Sequence, residues 1–211
     1  MPADRLHLVR HGEVHNPGGV LYGRLPHFHL SERGVEMAKT AADAIKGFNR
    51  PIAKLVCSPL LRTQQSAEPI AEIWGLDPIT DQRLIEPYNV FEGRKLSARH
   101  VAVRPHLYVH LRNPNTPSWG ENYESIVARM FEAMDDLAAE VESGDVVLVT
   151  HQLPIWMVHQ KVAGAKLAHN PKNRRCGLSS ITSFEKRDGQ WVEVGYVDPA
   201  AEAGAKDKGA V

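Results

Sequence analysis

Leu6-His7-Leu8-Val9-Arg10-His11-Gly12-Glu13 is a short, almost wholly apolar run that ends in an arginine, a histidine and a glycine. The run from Leu6 to Val9 reads as a buried strand, and the tetrad behind it as the loop into which the strand opens. A second stretch of the same form lies far downstream, where Val146 to Val149 closes in Thr150-His151. In an open α/β sheet the ligand crevice lies outside the carboxyl ends of the strands, so two such strands, each followed by a histidine, predict one shared pocket. Guanidinium and imidazole groups gathered without an adjacent aspartate suit a doubly charged oxyanion such as phosphate, because arginine offers a rigid fork of donors.

Working outward, further strands are expected at Ala53 to Cys57, Ile181 to Phe184 and Trp191 to Val197. The last two flank Arg187-Asp188-Gly189, whose Asp-Gly step is a hairpin signal, so an antiparallel pair should finish the sheet. The apolar runs at 6 and 146 suit central strands buried on both faces of a parallel sheet. Val35, Ala38, Ala41, Ala42, Ile45 and Phe48 recur at helical spacing, as do Ile126, Val127, Met130, Phe131, Met134, Leu137, Ala138 and Val141. Ser58-Pro59 reads as an N-cap followed by proline at the first helical position, and Leu153-Pro154 repeats the proline device after the second histidine. The pattern predicts a three-layer α/β/α sandwich around a mostly parallel sheet with an antiparallel edge, in a single domain over residues 1–198. Residues 97–120, broken by Pro105, Pro114 and Pro117, read as a connection or lid. The tail over 199–211, mostly alanine, glycine and lysine, is expected to be flexible.

The 211 residues carry 25 basic and 25 acidic side chains, which cancel, so neither a nucleic-acid nor a membrane-surface partner is expected. No stretch approaches a membrane span or a signal peptide, and the default expectation is a soluble cytoplasmic protein. Cys57 and Cys176 match neither a metal knuckle nor a disulfide framework and read as free thiols. His27-Phe28-His29 suggests a metal clip, but no cysteine or carboxylate accompanies it closely and catalytic zinc normally needs about three protein ligands, so the two histidines read as polar residues near a pocket entrance.

Leu8-Val9-Arg10-His11-Gly12-Glu13, Ser58-Pro59-Leu60-Leu61-Arg62-Thr63 and Val149-Thr150-His151 together resemble the histidine phosphatase superfamily, also called the phosphoglycerate mutase-like family. The likeness runs from residue 6 to about 197, and it rests on the order and spacing of the three motifs rather than on any one of them. It implies a phosphoglycerate mutase-like fold and a reaction on a small-molecule phosphate ester, with no organic cofactor and no metal. It makes His11 the nucleophile, with Arg10, Arg62 and His151 grasping the nonbridging oxygens. The family carries its general acid in a Leu-x-Glu segment followed by an aromatic-Glu-Gly, here Leu84-Ile85-Glu86 and Phe91-Glu92-Gly93, which makes Glu86 the acid, with Glu13, Glu92 and Glu121 as rivals.

The chain departs from the family pattern at identifiable places. Val14 and Pro17 stand where the family usually has a hydroxyl residue and an asparagine, and Asn16 arrives one residue early. Gln152 replaces a glycine, and the segment after Glu86 is shorter. Asn16, Gly23 and Gln152 complete the expected substrate-binding set. Arg62 has a structural alternative as a salt-bridge partner of Glu68 or Asp81. Arg99, Arg104, His106, His110 and Arg112 make the expected lid cationic, while Trp119, Tyr123 and Trp156 read as packing residues. Phosphate-monoester hydrolysis through phospho-His11 is the leading expectation. A mutase is the nearest alternative, and a non-catalytic phosphate-binding module is the alternative of another class. Oligomeric state is not readable from the sequence.

Overall fold

The computed structural model describes residues 3–95, 120–205, 207 and 209, and the expected lid with its arginines and histidines and Trp119 lies outside them. Six strands form one sheet: β1 (Leu6–Arg10), β2 (Ile52–Cys57), β3 (Ile79–Thr80), β4 (Asp145–Thr150), β5 (Ile181–Arg187) and β6 (Gln190–Val197). Their spatial order is β3-β2-β4-β1-β5-β6. β1, β2, β3 and β4 pair in parallel, and β5 and β6 add the antiparallel edge. At the hairpin, Asp188 and Gly189 both take positive φ, 50° and 78°, as a tight two-residue turn requires.

Alternation along the central strands divides the core in two. Leu6, Leu8, Val56, Val146 and Leu148 face one side, where they meet Ile126, Met130 and Met134 of α3 (Tyr123–Ala139) and Leu153 and Met157 of α4 (Gln152–Val162). Val9, Leu55, Cys57, Val147 and Val149 face the other, against Ala41, Ala42 and Ile45 of α1 (Glu32–Gly47) and Ala67 and Ile70 of α2 (Leu61–Trp74). This is the three-layer sandwich the periodicities imply. Both cysteines are buried and free. Tyr123 and Trp156 pack in the core. Among the described residues no helix is long and apolar enough to cross a membrane.

Ser58 does not cap α2. The N-cap is Leu60, without a side-chain hydrogen bond, because the Ser58 hydroxyl is held by His151 instead and Pro59 falls ahead of the helix. Arg62 still lies in the first turn, where the helix dipole favours anions. Pro154 falls in the first turn of α4, where its missing N–H costs no intrahelical bond. Beyond β6, Ala200 is buried against Met37 and Leu178.

At the opposite end of β1 from the histidine tetrad, His7 bonds Ser183 Oγ through Nδ1 (2.8 Å) and Asp145 through Nε2 (3.0 Å). The order serine, histidine, aspartate mimics a nucleophilic triad, but all three are buried in the sheet. Arg50 completes the network with two bonds to Asp145, at 2.6 and 2.9 Å. Burial pushes the Asp145 carboxyl up, yet the hydrogen bonds from His7 and Arg50 outweigh it and hold the pKa below the usual value. A depressed folded-state pKa stabilises the protein above the unfolded value, and that contribution disappears as pH falls through the folded one. Asp145→Ala strands Arg50 and His7 and is expected to cost about 3–5 kcal/mol in urea unfolding at neutral pH, with the gap to wild type closing in acid.

Candidate active site

The parallel register Arg10↔Thr150 makes His11 and His151 neighbours across the ends of β1 and β4. Their ring centroids are 5.2 Å apart. Here the strand order also reverses, since β1 leads through α1 to β2 on one side and β4 through α4 to β5 on the other. The His11 backbone is pinned from two directions: its N–H donates to Thr150 O (3.1 Å) and its carbonyl accepts from Ser179 N (3.2 Å). Gly12 follows because the loop presses backbone to backbone on the start of α1. A Cβ at Gly12 would lie 2.3 Å from Gly34 O, and one at Gly34 would lie 2.0 Å from Glu13 O.

The tautomers of both histidines follow from their partners. His11 Nδ1 faces the Gly12 carbonyl at 2.8 Å, and a carbonyl only accepts, so Nδ1 carries the proton and Nε2 keeps its lone pair. Burial, then Arg62 and Arg10, hold the His11 pKa well below the ordinary 6.5. The ring is therefore neutral at neutral pH. His151 Nδ1 lies 3.3 Å from Arg62 Nη2, which can only donate, so Nδ1 accepts and Nε2–H donates to Ser58 Oγ at 2.8 Å. Burial first, then Arg62 and His11, lower the His151 pKa as well.

Arg10 and Arg62 are fully buried. Arg10 Nη1 donates to Cys176 O at 2.7 Å, and Arg62 Nη2 to Gly23 O at 2.7 Å. Tyr22 covers Arg62, whose guanidinium carbon stands 4.8 Å from the ring centroid. Arg62 pairs with neither Glu68 nor Asp81, and Asp81 is taken by Arg83. Glu86 is placed by the turn Gln82–Leu84, whose Leu84 carbonyl accepts from Thr150 Oγ1 at 2.6 Å. Its Oε2 is 3.5 Å from His151 Nδ1. Burial raises the Glu86 pKa to about 7 against the opposing pull of Arg62, Arg174 and Arg10. Since the Glu86 pKa is raised and that of His151 lowered, their contact is better described as a neutral pair than as an ion pair.

Four buried polar atoms of this cluster have no partner among the described residues: Arg10 Nε, Arg62 Nε, Arg62 Nη1 and Glu86 Oε1. Three donors and one protonatable oxygen, with an imidazole that keeps a lone pair on Nε2, are groups that suit a phosphate ester, whose nonbridging oxygens accept and whose leaving oxygen needs a proton. Buried polar groups ordinarily find partners, so this concentration points to a ligand.

Asn16, Gly23 and Gln152 have partners of their own. Asn16 closes its own turn, with Nδ2 donating to Val20 O (2.8 Å) and Oδ1 accepting from Val20 N (3.2 Å). Gly23 serves through its carbonyl on Arg62, and a Cβ there would meet Glu92 Oε1 at 2.1 Å. Gln152 lies beside Arg10, sharing the Cys176 carbonyl at 3.4 Å. Glu13 is bonded by Ser31, Glu92 by the amides of Arg24 and Asn89, and Glu121 by Arg24 and Arg129. His29 stacks on His15, and among the described residues no three metal-binding side chains converge. The sequence reading missed Tyr22 as a wall, Ser58 as the partner of His151, and Arg174, whose charge acts on Glu86. A cavity of about 790 Å³ opens beside Arg10, lined by Gln152, Arg174, Cys176, Tyr196 and Asp207 among others.

Comparison with known proteins gives a consistent result. A family model described as the histidine phosphatase superfamily (branch 1) matches residues 6–199. An uncharacterized protein of Mycobacterium tuberculosis is 46% identical over 203 residues, covering 95% of this chain and all of that one. A probable phosphoglycerate mutase, GpmB, of Yersinia pestis is 27% identical over 202 residues, covering 93% and 92%. Among solved structures, a phosphoserine phosphatase of Entamoeba histolytica in complex with 3-phosphoglyceric acid superposes with a TM-score of 0.74 at 22% identity, over 92% of this chain and 96% of that one. The last likeness speaks for the fold.

Proposed function

Because the chain belongs to the histidine phosphatase superfamily (branch 1), we propose that it hydrolyses a small-molecule phosphate monoester by way of a phosphohistidine on His11. The observation that carries this reading is the set of unpartnered buried atoms, Arg10 Nε, Arg62 Nε and Nη1, and Glu86 Oε1, on two arginines whose charges act on His11 and on a carboxyl that touches its neighbour His151. In the first step Nε2 attacks phosphorus, the ester bond breaks, and Glu86 gives its proton to the leaving oxygen. In the second, ionised Glu86 takes a proton from water, whose oxygen attacks the phosphohistidine and regenerates the lone pair. Two displacements replace one harder step. Arg10 and Arg62 stabilise the charge on the transferring oxygens, a role that dominates phosphoryl transfer. His151 turns Nδ1 toward the cluster, and an arriving dianion raises its pKa, so it takes up a proton and donates to a phosphoryl oxygen.

The cationic cluster supplies the electrostatic role that a metal would otherwise fill. Hydrolysis of a generic aryl phosphate is therefore expected to proceed equally with and without a chelator. Trapping of labelled phosphate on the protein after acid or alkaline quench distinguishes the possible outcomes: alkali-stable, acid-labile label marks phosphohistidine, and loss of activity with chelator would overturn the metal-independent route. A phosphoglycerate mutase is the second reading, favoured by the GpmB relative. It predicts interconversion of phosphoglycerates with little phosphate released. A non-catalytic binding module predicts neither release nor label.

A further inference from the structure

Arg10 presents two nitrogens, Nε and Nη2, along one edge of its guanidinium, and this protein uses that edge elsewhere as a fork for carboxylates. Arg50 sets the pair on Asp145 at 2.6 and 2.9 Å, and Arg129 sets it on Glu121 at 2.9 and 3.1 Å. In Arg10 the fork is half filled. Nη2 donates to Asp207 Oδ2 at 2.8 Å, whereas Nε has no partner among the described residues. Gln152 Nε2 stands 3.5 Å from the same carboxylate oxygen, and Arg174 Nη1 donates to Gln152 Oε1 at 3.1 Å, which turns the amide nitrogen toward Asp207. The segment that carries Asp207 is held on both sides of this contact: Ala200 is buried against Met37 and Leu178, and Gly209 O accepts from the N–H of Tyr22 at 3.1 Å. Ala200 and Gly209 are thus two fixed points on either side of Asp207, the second on the residue that covers Arg62.

We infer that Asp207 is an internal ligand of the oxyanion site, a carboxylate that an incoming phosphate ester must displace from the Arg10 fork and that thereby sets the affinity and charge preference of the site. The inference rests on the assignment of Arg10 to phosphate made above. Asp207 brings one negative charge, keeps 37% of its side chain exposed, and takes one of the two fork positions. A phosphomonoester is close to a dianion at neutral pH and has three terminal oxygens, enough to fill both Arg10 positions and reach Arg62. It displaces the carboxylate, whereas a monoanion gains less from the exchange. Apparent affinity is the intrinsic affinity reduced by the fraction of molecules whose tail is off the site.

The test is equilibrium binding of inorganic phosphate and of sulfate, by calorimetry, to wild type, Asp207→Asn and Gly209→Ala, with KM and kcat on an aryl phosphate alongside. Asp207→Asn removes the charge. Gly209→Ala keeps it but places a methyl 2.0 Å from Val20 O, which undocks the tail. Both variants are expected to bind phosphate about three- to tenfold more tightly. KM should fall to match with little change in kcat, and sulfate should gain at least as much as phosphate. Unchanged or weaker phosphate binding in both variants overturns the inference. Phosphate binding needs no turnover, so tighter binding without hydrolysis would sink the phosphatase reading alone, and hydrolysis with unaltered affinity would sink this inference alone.

Discussion

His11→Ala is expected to lower kcat/KM for every phosphate ester the protein accepts by roughly 10⁴-fold or more, and to abolish the trapped label. Nδ1 is spent on the Gly12 carbonyl, so only Nε2 can attack, and burial, then Arg62 and Arg10, keep the ring neutral. No neighbour can substitute, since His151 is fixed by Ser58 at Nε2 and faces Arg62 and Glu86 with Nδ1. The same arrangement gives the sign of the acid limb. A nucleophile whose pKa is held well below 6.5 stays competent as pH falls past that value, so activity limited by His11 should persist below pH 6. The assay is initial-rate hydrolysis of an aryl phosphate by both proteins, with circular dichroism and thermal melts to establish that the variant is folded. Residual hydrolysis within tenfold of wild type would remove His11 from the mechanism.

Much of this was legible in the chain because β1 and β4 are central strands buried on both faces, and such strands must read as apolar runs. Each is followed at once by its histidine, so finding the strands brought the two histidines together. Asp188-Gly189 was equally open to reading, since its two positive φ angles demand those residue types. The strand Ile79–Thr80 was not, being two exposed residues with no period to detect. Ser58 carried a misleading local signal: the pattern of a helix cap is the same whether the hydroxyl serves its own helix or a histidine from another strand. Tyr22, Arg174 and Asp207 lie outside the three motifs, and their meaning comes from tertiary position, which no spacing encodes. Glu86 stands between these cases, since a motif named it while a hydrogen bond from Thr150 to Leu84 places it.

Glu86→Gln separates the chemical from the structural role of that carboxyl. With poor leaving groups such as alkyl phosphates, loss of the proton donor is expected to cost about 10²–10⁴-fold in kcat. An aryl phosphate that leaves as a stabilised phenolate should lose far less. The wild-type profile with alkyl phosphates should fall as pH rises through about 7, where the buried carboxyl ionises. On substitution, stability above pH 7 should move the opposite way to activity. A carboxyl whose folded pKa is raised above its unfolded value contributes stability below the unfolded pKa and loses it as pH rises through the folded one. Glutamine is neutral throughout and of the same size, so the variant should be more stable than wild type above pH 7 and no better in mild acid. A purely structural Glu86 predicts matched losses of activity on both substrate types together with lower stability. Catalysis lost on alkyl phosphates while alkaline stability rises would come only from a buried acid kept protonated for the leaving group.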